Sequence, residues 1–387
     1  MPPSRTVARL RPFASTIFAE MTALAVATDA VNLGQGFPDT DGPPAMLESA
    51  REAIAQGLNQ YSPGPGMPVL RRAVAADRER RFGLGYDPDS EVLVTVGATE
   101  AISATLLGLI EPGDEVLLIE PFYDSYAAAI ALAGATRTSV PLVADGAGWT
   151  VDTDALERAV GPRTRMLIVN SPHNPTGTVF DRATMVRIAE IATAHDLLVL
   201  TDEVYEHLVF DGGVHTPIAT LPGMFERTVT VSSAAKTFNA TGWKTGWALG
   251  PAALIDAVRA AKQFMSFVGG TPFQPAVAYA LEHEQAWIAA MRDGLQRKRD
   301  TLSAALSAAG ADVKHSAGTY FVCADIASFG RGDAYEFCRS LPQLVGVAAV
   351  PVTAFVDEPA QWTSLVRFAF CKQDEVLAEA AERLRKL

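Results

Sequence analysis

The first 235 residues of this 387-residue chain contain no lysine. Arginine is plentiful there, so positive charge as such is not avoided. An Arg- and Ala-rich composition explains the scarcity, but not where lysine first appears. Cysteine is scarce as well. Cys323, Cys338 and Cys371 are odd in number and lack metal-ligand spacing, which argues against a disulfide scaffold and for reduced thiols. Long apolar runs are missing: the most apolar, AAAIALAGA at 127–135, is far too short to cross a bilayer. No apolar stretch backs the arginines of MPPSRTVARLRPFAS, so a soluble, cytoplasmic protein without a targeting segment is expected. Positive charge is in deficit, with 32 Lys and Arg against 44 Asp and Glu and a net charge of −12. That balance argues against a nucleic-acid surface and favours small-molecule partners.

What the chain does have is a regular alternation. Short apolar runs, EVLVTVG (91–97), DEVLLIE (114–120), RMLIVN (165–170), LLVLTD (197–202), TVTVSS (228–233) and GWALG (246–250), are separated by helical patterns such as 99–110 and 124–133. Near-continuous apolar strands between helices predict an α/β fold with a mostly parallel sheet covered on both faces. From about 270 to 310 the pattern reads as one long helix, followed by shorter strands (GTYFVCADI, GVAAVPV, SLVRFAF) and a closing helix from Asp374. The expected organisation is an N-terminal arm (1–40) contributing to the small domain and the substrate pocket, a large domain (41–285) and a smaller α+β domain (286–387).

In open parallel sheets ligands bind beyond the carboxyl ends of the strands, and three successive strands here end in chemistry-bearing groups. LIVN leads to SPHNPTG with Asn174, LLVL leads to TDEVYEH with Asp202 and Tyr205, and TVTVSS leads to AAKTFNATGWKTGW with Lys236 and Lys244. A fourth strand opens a helix N-terminus at Gly97, Ala98 and Thr99. Taken singly, HNPTG suits a plain turn, Asp202 an N-cap and Lys236 the surface. Together they suit one ligand. A partly desolvated lysine attacks an aldehyde, and a carboxylate keeps a pyridine nitrogen protonated. A phenol and an amide polarise the neighbouring group, and a helix N-terminus with Ser233 and Lys244 takes a phosphate. Pyridoxal 5′-phosphate fits all of them.

These segments resemble the class I/II aminotransferases of PLP fold type I, in order and spacing and over almost the whole chain. The resemblance implies a large domain with a mostly parallel seven-stranded sheet plus a smaller α+β domain. It makes Lys236 the lysine that holds the cofactor and moves the proton, Asp202 the partner of the ring nitrogen, and Tyr205 and Asn174 the contacts to the ring oxygen. Tyr123, in EPFYDSY, would stack on the ring, and Ala98, Thr99, Ser233 and Lys244 would hold the phosphate. Tyr61 would reach the phosphate across a homodimer with shared active sites. Arg367, in SLVRFAF, would grip the substrate α-carboxylate with Gly36 and Asn174 beside it. Many family members carry arginine where Lys244 stands, so the phosphate is expected to keep its cation and lose a forked donor. VNLGQGFPD (31–39) and NQYSPGPGMPVLR (59–71) are similar to the branch with kynurenine, glutamine and methionine aminotransferases. Within it the chain most resembles the N-succinyldiaminopimelate aminotransferases of lysine biosynthesis. That resemblance implies transamination of N-succinyl-2-amino-6-oxopimelate with glutamate as donor, and no metal.

The residues leave the substrate open. A substrate with distal carboxylates needs a second cation, for which Arg9, Arg11 and Lys262 are candidates. Kynurenine or methionine would need an aromatic or apolar wall such as Phe13, Phe18 and Phe267. A β-lyase acting on cysteine conjugates would use the same groups. A cofactor-sensing regulator would need a DNA-binding module for which the first 40 residues leave no room.

Overall fold

A computed structural model describes residues 5–13, 16–330 and 332–387. Its centre is a sheet of eight strands. From edge to edge they are Val92–Val96, Thr245–Leu249, Thr228–Ser233, Leu198–Asp202, Thr164–Asn170, Glu115–Glu120, Thr136–Asp145 and Gly148–Val151. The strands from Glu115 to Ser233 pair parallel to their neighbours across the middle, while Thr245–Leu249 runs antiparallel to both of its own. The expectation of seven strands is corrected to eight. Thr136–Asp145 runs on past the sheet and folds back as a hairpin on Gly148–Val151, a short antiparallel partner whose mixed polar composition hid it among the helical signals.

Strand alternation divides the core in two. Leu118, Ile168, Leu200 and Val231 face one side and meet Ile102, Leu106, Ile130, Ile255 and Val258 of the helices Gly97–Leu109, Asp124–Ala133 and Ala252–Lys262. Leu117, Leu167 and Val199 face the other side and meet Met185 and Ile188 of Arg182–Ala194. Val94 and Trp247 meet Leu70 and Val74 of Pro68–Phe82 and Val277 and Leu281 of Phe273–His283.

The long helix expected over 270–310 is two helices, Phe273–His283 and Gln285–Ala308, broken at Glu284. The physical reason is a change of packing partner. The first presents its apolar stripe to the large sheet, while Leu295, Leu302 and Leu306 of the second join the core of the C-terminal part. One straight rod cannot serve both. That C-terminal part contains the antiparallel strands Asp312–Val313, Phe321–Asp325, Leu365–Ala369 and Val350–Pro351, in this order. The N-terminal stretch reaches it: Val31–Asn32 pairs with Val347–Ala348, and the helix Ile17–Thr28 packs against Ala334–Val345. Among the described residues no helix is long and apolar enough to cross a membrane, and none of their His, Cys, Asp and Glu side chains group as a metal site.

Candidate active site

The carboxyl ends of the parallel strands converge on a cavity of about 390 Å³. The C-terminal sheet and the segment around Gly36 close its opposite wall. Of the residues singled out above, Gly36, Ala98, Thr99, Tyr123, Asn174, Asp202, Tyr205, Ser233, Lys236, Lys244 and Arg367 all line it.

Asp202 lies at the end of its strand and is buried. One oxygen accepts from the Tyr126 hydroxyl (2.7 Å) and the other from the Val204 amide (3.2 Å). Burial pushes its carboxyl up to about 6, against the lowering effect of those hydrogen bonds and of Lys236. A cation placed against it, such as a protonated ring nitrogen, would reverse that shift.

Lys236 is half-buried, on the short helix Ala234–Thr237 that follows the next strand. Its ammonium donates one long bond to the Gly36 carbonyl (3.4 Å) and lies 5.3 Å from the centre of the Tyr320 ring and 5.9 Å from that of Tyr205. Desolvation lowers its pKa to about 8; Cys371 and Asp202 oppose this, and Lys244 and Arg367 add to it. About a tenth is therefore free amine at pH 7, far more than for an ordinary lysine.

The start of the helix Gly97–Leu109 opens onto the cavity. Ala98 and Thr99 present first-turn amides beside Ser233 and Lys244. Gly246 makes the close approach possible: a Cβ there would sit 2.7 Å from the Gly97 carbonyl carbon and 2.8 Å from the Ala98 nitrogen. Lys244 adopts the left-handed backbone region (φ 51°), which turns its ammonium back toward Gly97.

Arg367 is 2% exposed at the centre of an antiparallel strand. It donates to the Asn174 side-chain oxygen (3.0 Å) and the Gly34 carbonyl (2.9 Å), both neutral, and its Nε has no partner among the described residues. The rings of Phe321, Phe355 and Phe18 surround the guanidinium, with centres 4.0, 4.7 and 5.4 Å away. Burial lowers its pKa from the ordinary arginine value. A buried cation with an unused donor at a cavity wall is arranged to receive a carboxylate. Gly36 adjoins it, where any side chain would collide with Phe321 at 2.4 Å.

A family model, "Aminotransferase class I and II", matches residues 28–384. The chain belongs to this family. This aminotransferase is 62% identical over 390 residues to the "Probable N-succinyldiaminopimelate aminotransferase DapC" of Mycobacterium tuberculosis (strain H37Rv), an alignment covering 99% of this chain and 98% of the relative. It is 40% identical to the methionine aminotransferase of Escherichia coli, covering 98% and 97% of the two chains. The solved structure of N-succinyldiaminopimelate aminotransferase from M. tuberculosis matches with a TM-score of 0.97 at 63% identity, covering 98% of this chain and 99% of that one.

Other features escaped sequence reasoning. Tyr126 braces Asp202, and its spacing of three from Tyr123 on a helix start was the available signal. Asn170 receives the Asn174 amide (2.8 Å) and donates to the Asp202 carbonyl (2.9 Å), tying two strand ends together. Phe321, Phe37 and Gln35 also line the cavity; Gln35 and Phe37 flank Gly36 in VNLGQGFPD and Phe321 lies in GTYFVCADI, but their side chains carry no titratable group that would single them out. Tyr61 lies outside the cavity, 82% exposed, with its ring edge on Phe267. Of the candidates for a second cation, Arg9 and Arg11 are exposed away from the cavity wall. The Lys262 ammonium is taken up by the carbonyls of Gly64 and Phe267. Of the aromatic wall candidates Phe13, Phe18 and Phe267, Phe18 alone lines the cavity; Phe13 borders a neighbouring one.

Proposed function

We propose that this aminotransferase transfers the amino group of glutamate to N-succinyl-2-amino-6-oxopimelate, using pyridoxal 5′-phosphate. The observation that carries the chemistry is the meeting of Lys236, Asp202 and Arg367, from three separate elements, around one cavity with a helix N-terminus at its far end. The substrate choice is supported by the 62% identity to the M. tuberculosis relative along nearly the whole of both chains.

The donor set fits the cofactor: an amine with a lowered pKa, a buried carboxylate lacking a cation, and a cradle of amides with Ser233 and Lys244. When bound, pyridoxal 5′-phosphate supplies an aldehyde for attachment and a protonated ring that withdraws electrons. Lys236 takes the Cα proton of the amino acid as general base. Asp202, braced by Tyr126, holds the proton on the ring nitrogen. Asn174, Tyr205 and Tyr123 would hold the ring, and Ala98, Thr99, Ser233 and Lys244 would bind the phosphate. Arg367 receives the α-carboxylate. Because donor and acceptor use the same carboxylate site in turn, the kinetics are ping-pong.

We further infer a homodimer in which Tyr61 completes the partner's phosphate site. Support comes from the exposed Tyr61, Phe264, Met265 and Phe267. A chain that sediments as a monomer at assay concentration would remove Tyr61 from that role.

The test of the substrate is a half-reaction screen. Protein loaded with pyridoxamine phosphate is mixed with each 2-oxo acid, and the return of the pyridoxal absorbance is followed. Return is expected to be fastest with N-succinyl-2-amino-6-oxopimelate. Faster return with the 2-oxo acids of methionine or kynurenine overturns the substrate assignment and leaves the chemistry intact. Arg367→Ala is expected to raise KM for every amino and 2-oxo acid by about 100-fold, the loss of roughly 3 kcal/mol expected for one partner of a buried charge pair. Unchanged KM values would take Arg367 out of the carboxylate site.

A further inference from the structure

Behind the cavity lies a second cluster of charged side chains that the chemistry above does not use. The turn after Asp202 has two faces. The backbone closes it through Glu206 N to Glu203 O (2.9 Å) and Leu208 N to Tyr205 O (2.7 Å). On one face Asp202 and Tyr205 reach the cavity. On the other, Glu203 and Glu206 point away from it, both fully enclosed, toward the helix Pro68–Phe82. There a single nitrogen of Arg78, itself 2% exposed, lies 2.8 Å from Glu203 and 2.9 Å from Glu206. Arg81, one helical turn on, bonds the Glu206 carboxylate (2.9 Å) and its backbone carbonyl (3.2 Å). Ser232, on the strand that leads to Lys236, donates to the other oxygen of Glu206 (2.7 Å). His215 stands 3.2 Å from Glu203.

We propose that Arg78 is a positioning residue for the active site: gripping Glu203 and Glu206, it fixes the turn that presents Asp202 and Tyr205 and balances the buried negative charge next to Asp202. A ligand-holding turn braced only by its own backbone could rock about the strand end. Here the brace is a buried cation that holds both acidic side chains at once, which restricts their placement. The neighbouring electrostatics agree. Burial alone would raise the carboxyls of Glu203 and Glu206, yet Arg78 is the leading influence holding both below the ordinary range, helped by His215 at Glu203 and by Arg81 at Glu206. Around Asp202 the facing groups are Tyr126 and Tyr123 on one side, Lys236 and Tyr205 on the other, and Glu203 behind, whose negative charge works to raise Asp202. Glu203 in turn is faced by Arg78, His215, Glu206 and Tyr86.

The proposal rests on Asp202 meeting a cationic ring nitrogen, so the test reads cofactor binding as well as turnover. Cofactor-free protein is titrated with pyridoxal 5′-phosphate across pH 5–9, and the pH at which affinity falls on acidification reports Asp202 in the free site. Glu203→Gln keeps the shape of the network and removes the charge behind Asp202. It is expected to move that midpoint down by roughly 0.5–1 unit. Arg78→Lys keeps the cation and shortens its reach. It is expected to lower kcat per cofactor-loaded site by about tenfold with KM unchanged, since Arg367 belongs to another sheet. If both variants keep the wild-type midpoint and kcat, whatever their melting temperatures, the network is merely structural and the proposal is overturned. Failure of the wild-type protein to bind the cofactor would instead overturn the functional reading.

Discussion

Lys236→Ala is expected to cut turnover by about four orders of magnitude, the upper end of what a lost general base costs, and to leave the fold intact. The side chain makes one hydrogen bond, at 3.4 Å, and its ammonium faces a cavity, so its removal strands little. The sign of the pH linkage agrees. Lys236 has a pKa of about 8 in the folded protein against 10.5 as the ordinary value, so the unfolded chain binds more protons between those limits. Stability of the cofactor-free protein therefore rises with pH through this window, and below it the buried ammonium is a burden. The alanine variant lacks that burden and is expected to melt no lower than wild type at pH 7. Thermal melts, cofactor absorbance and the rates of both half-reactions check this. Turnover near wild type in a folded, cofactor-loaded variant would end the assignment of Lys236.

Asp202→Asn separates function from stability more sharply. Turnover is expected to fall about 100- to 1,000-fold, the range found when a preorganised electrostatic partner is removed, because an amide cannot hold a proton on the ring nitrogen. The cofactor-free protein is expected to gain stability at neutral pH. Asp202 has a pKa of about 6 in the fold against the ordinary 3.8, so between these values the folded state keeps a proton that the unfolded chain has released. Wild-type stability from this group is present in acid and is lost as pH rises through about 6. The asparagine oxygen can still accept from the Val204 amide, its NH2 can donate to the Tyr126 hydroxyl, and the side chain carries no charge. Its advantage is expected to appear above that pH, on the order of 2–3 kcal/mol. Denaturant unfolding of both proteins at pH 4.5 and 7.5 measures it. A variant less stable than wild type at pH 7.5 would show that Asp202 has a compensating cation even without the cofactor.

The two substitutions also separate what local sequence shows from what it hides. The gathering of Asp202, Tyr205, Asn174 and Lys236 was legible because each ends or closely follows an apolar strand, and a parallel sheet gathers such ends on one side. The helix Asp124–Ala133 and the strand Thr228–Ser233 fall where their patterns placed them, since apolar periodicity there agrees with burial. The hairpin Gly148–Val151 and the break at Glu284 were not legible. A short half-polar strand has no period to detect, and the break reflects a change of packing partner rather than a breaker residue.

The sequence by itself determined the α/β alternation, the order of the polar strand ends and the helix start at Gly97, because these depend on neighbours a few residues apart. Only the tertiary structure decided the rest. It places Arg367 against Asn174 across 193 positions, braces Asp202 with Tyr126 across 76, and seats Arg78 between two carboxylates 125 residues and more downstream. Those contacts join separate elements, and their partners are chosen by how the sheets and helices pack.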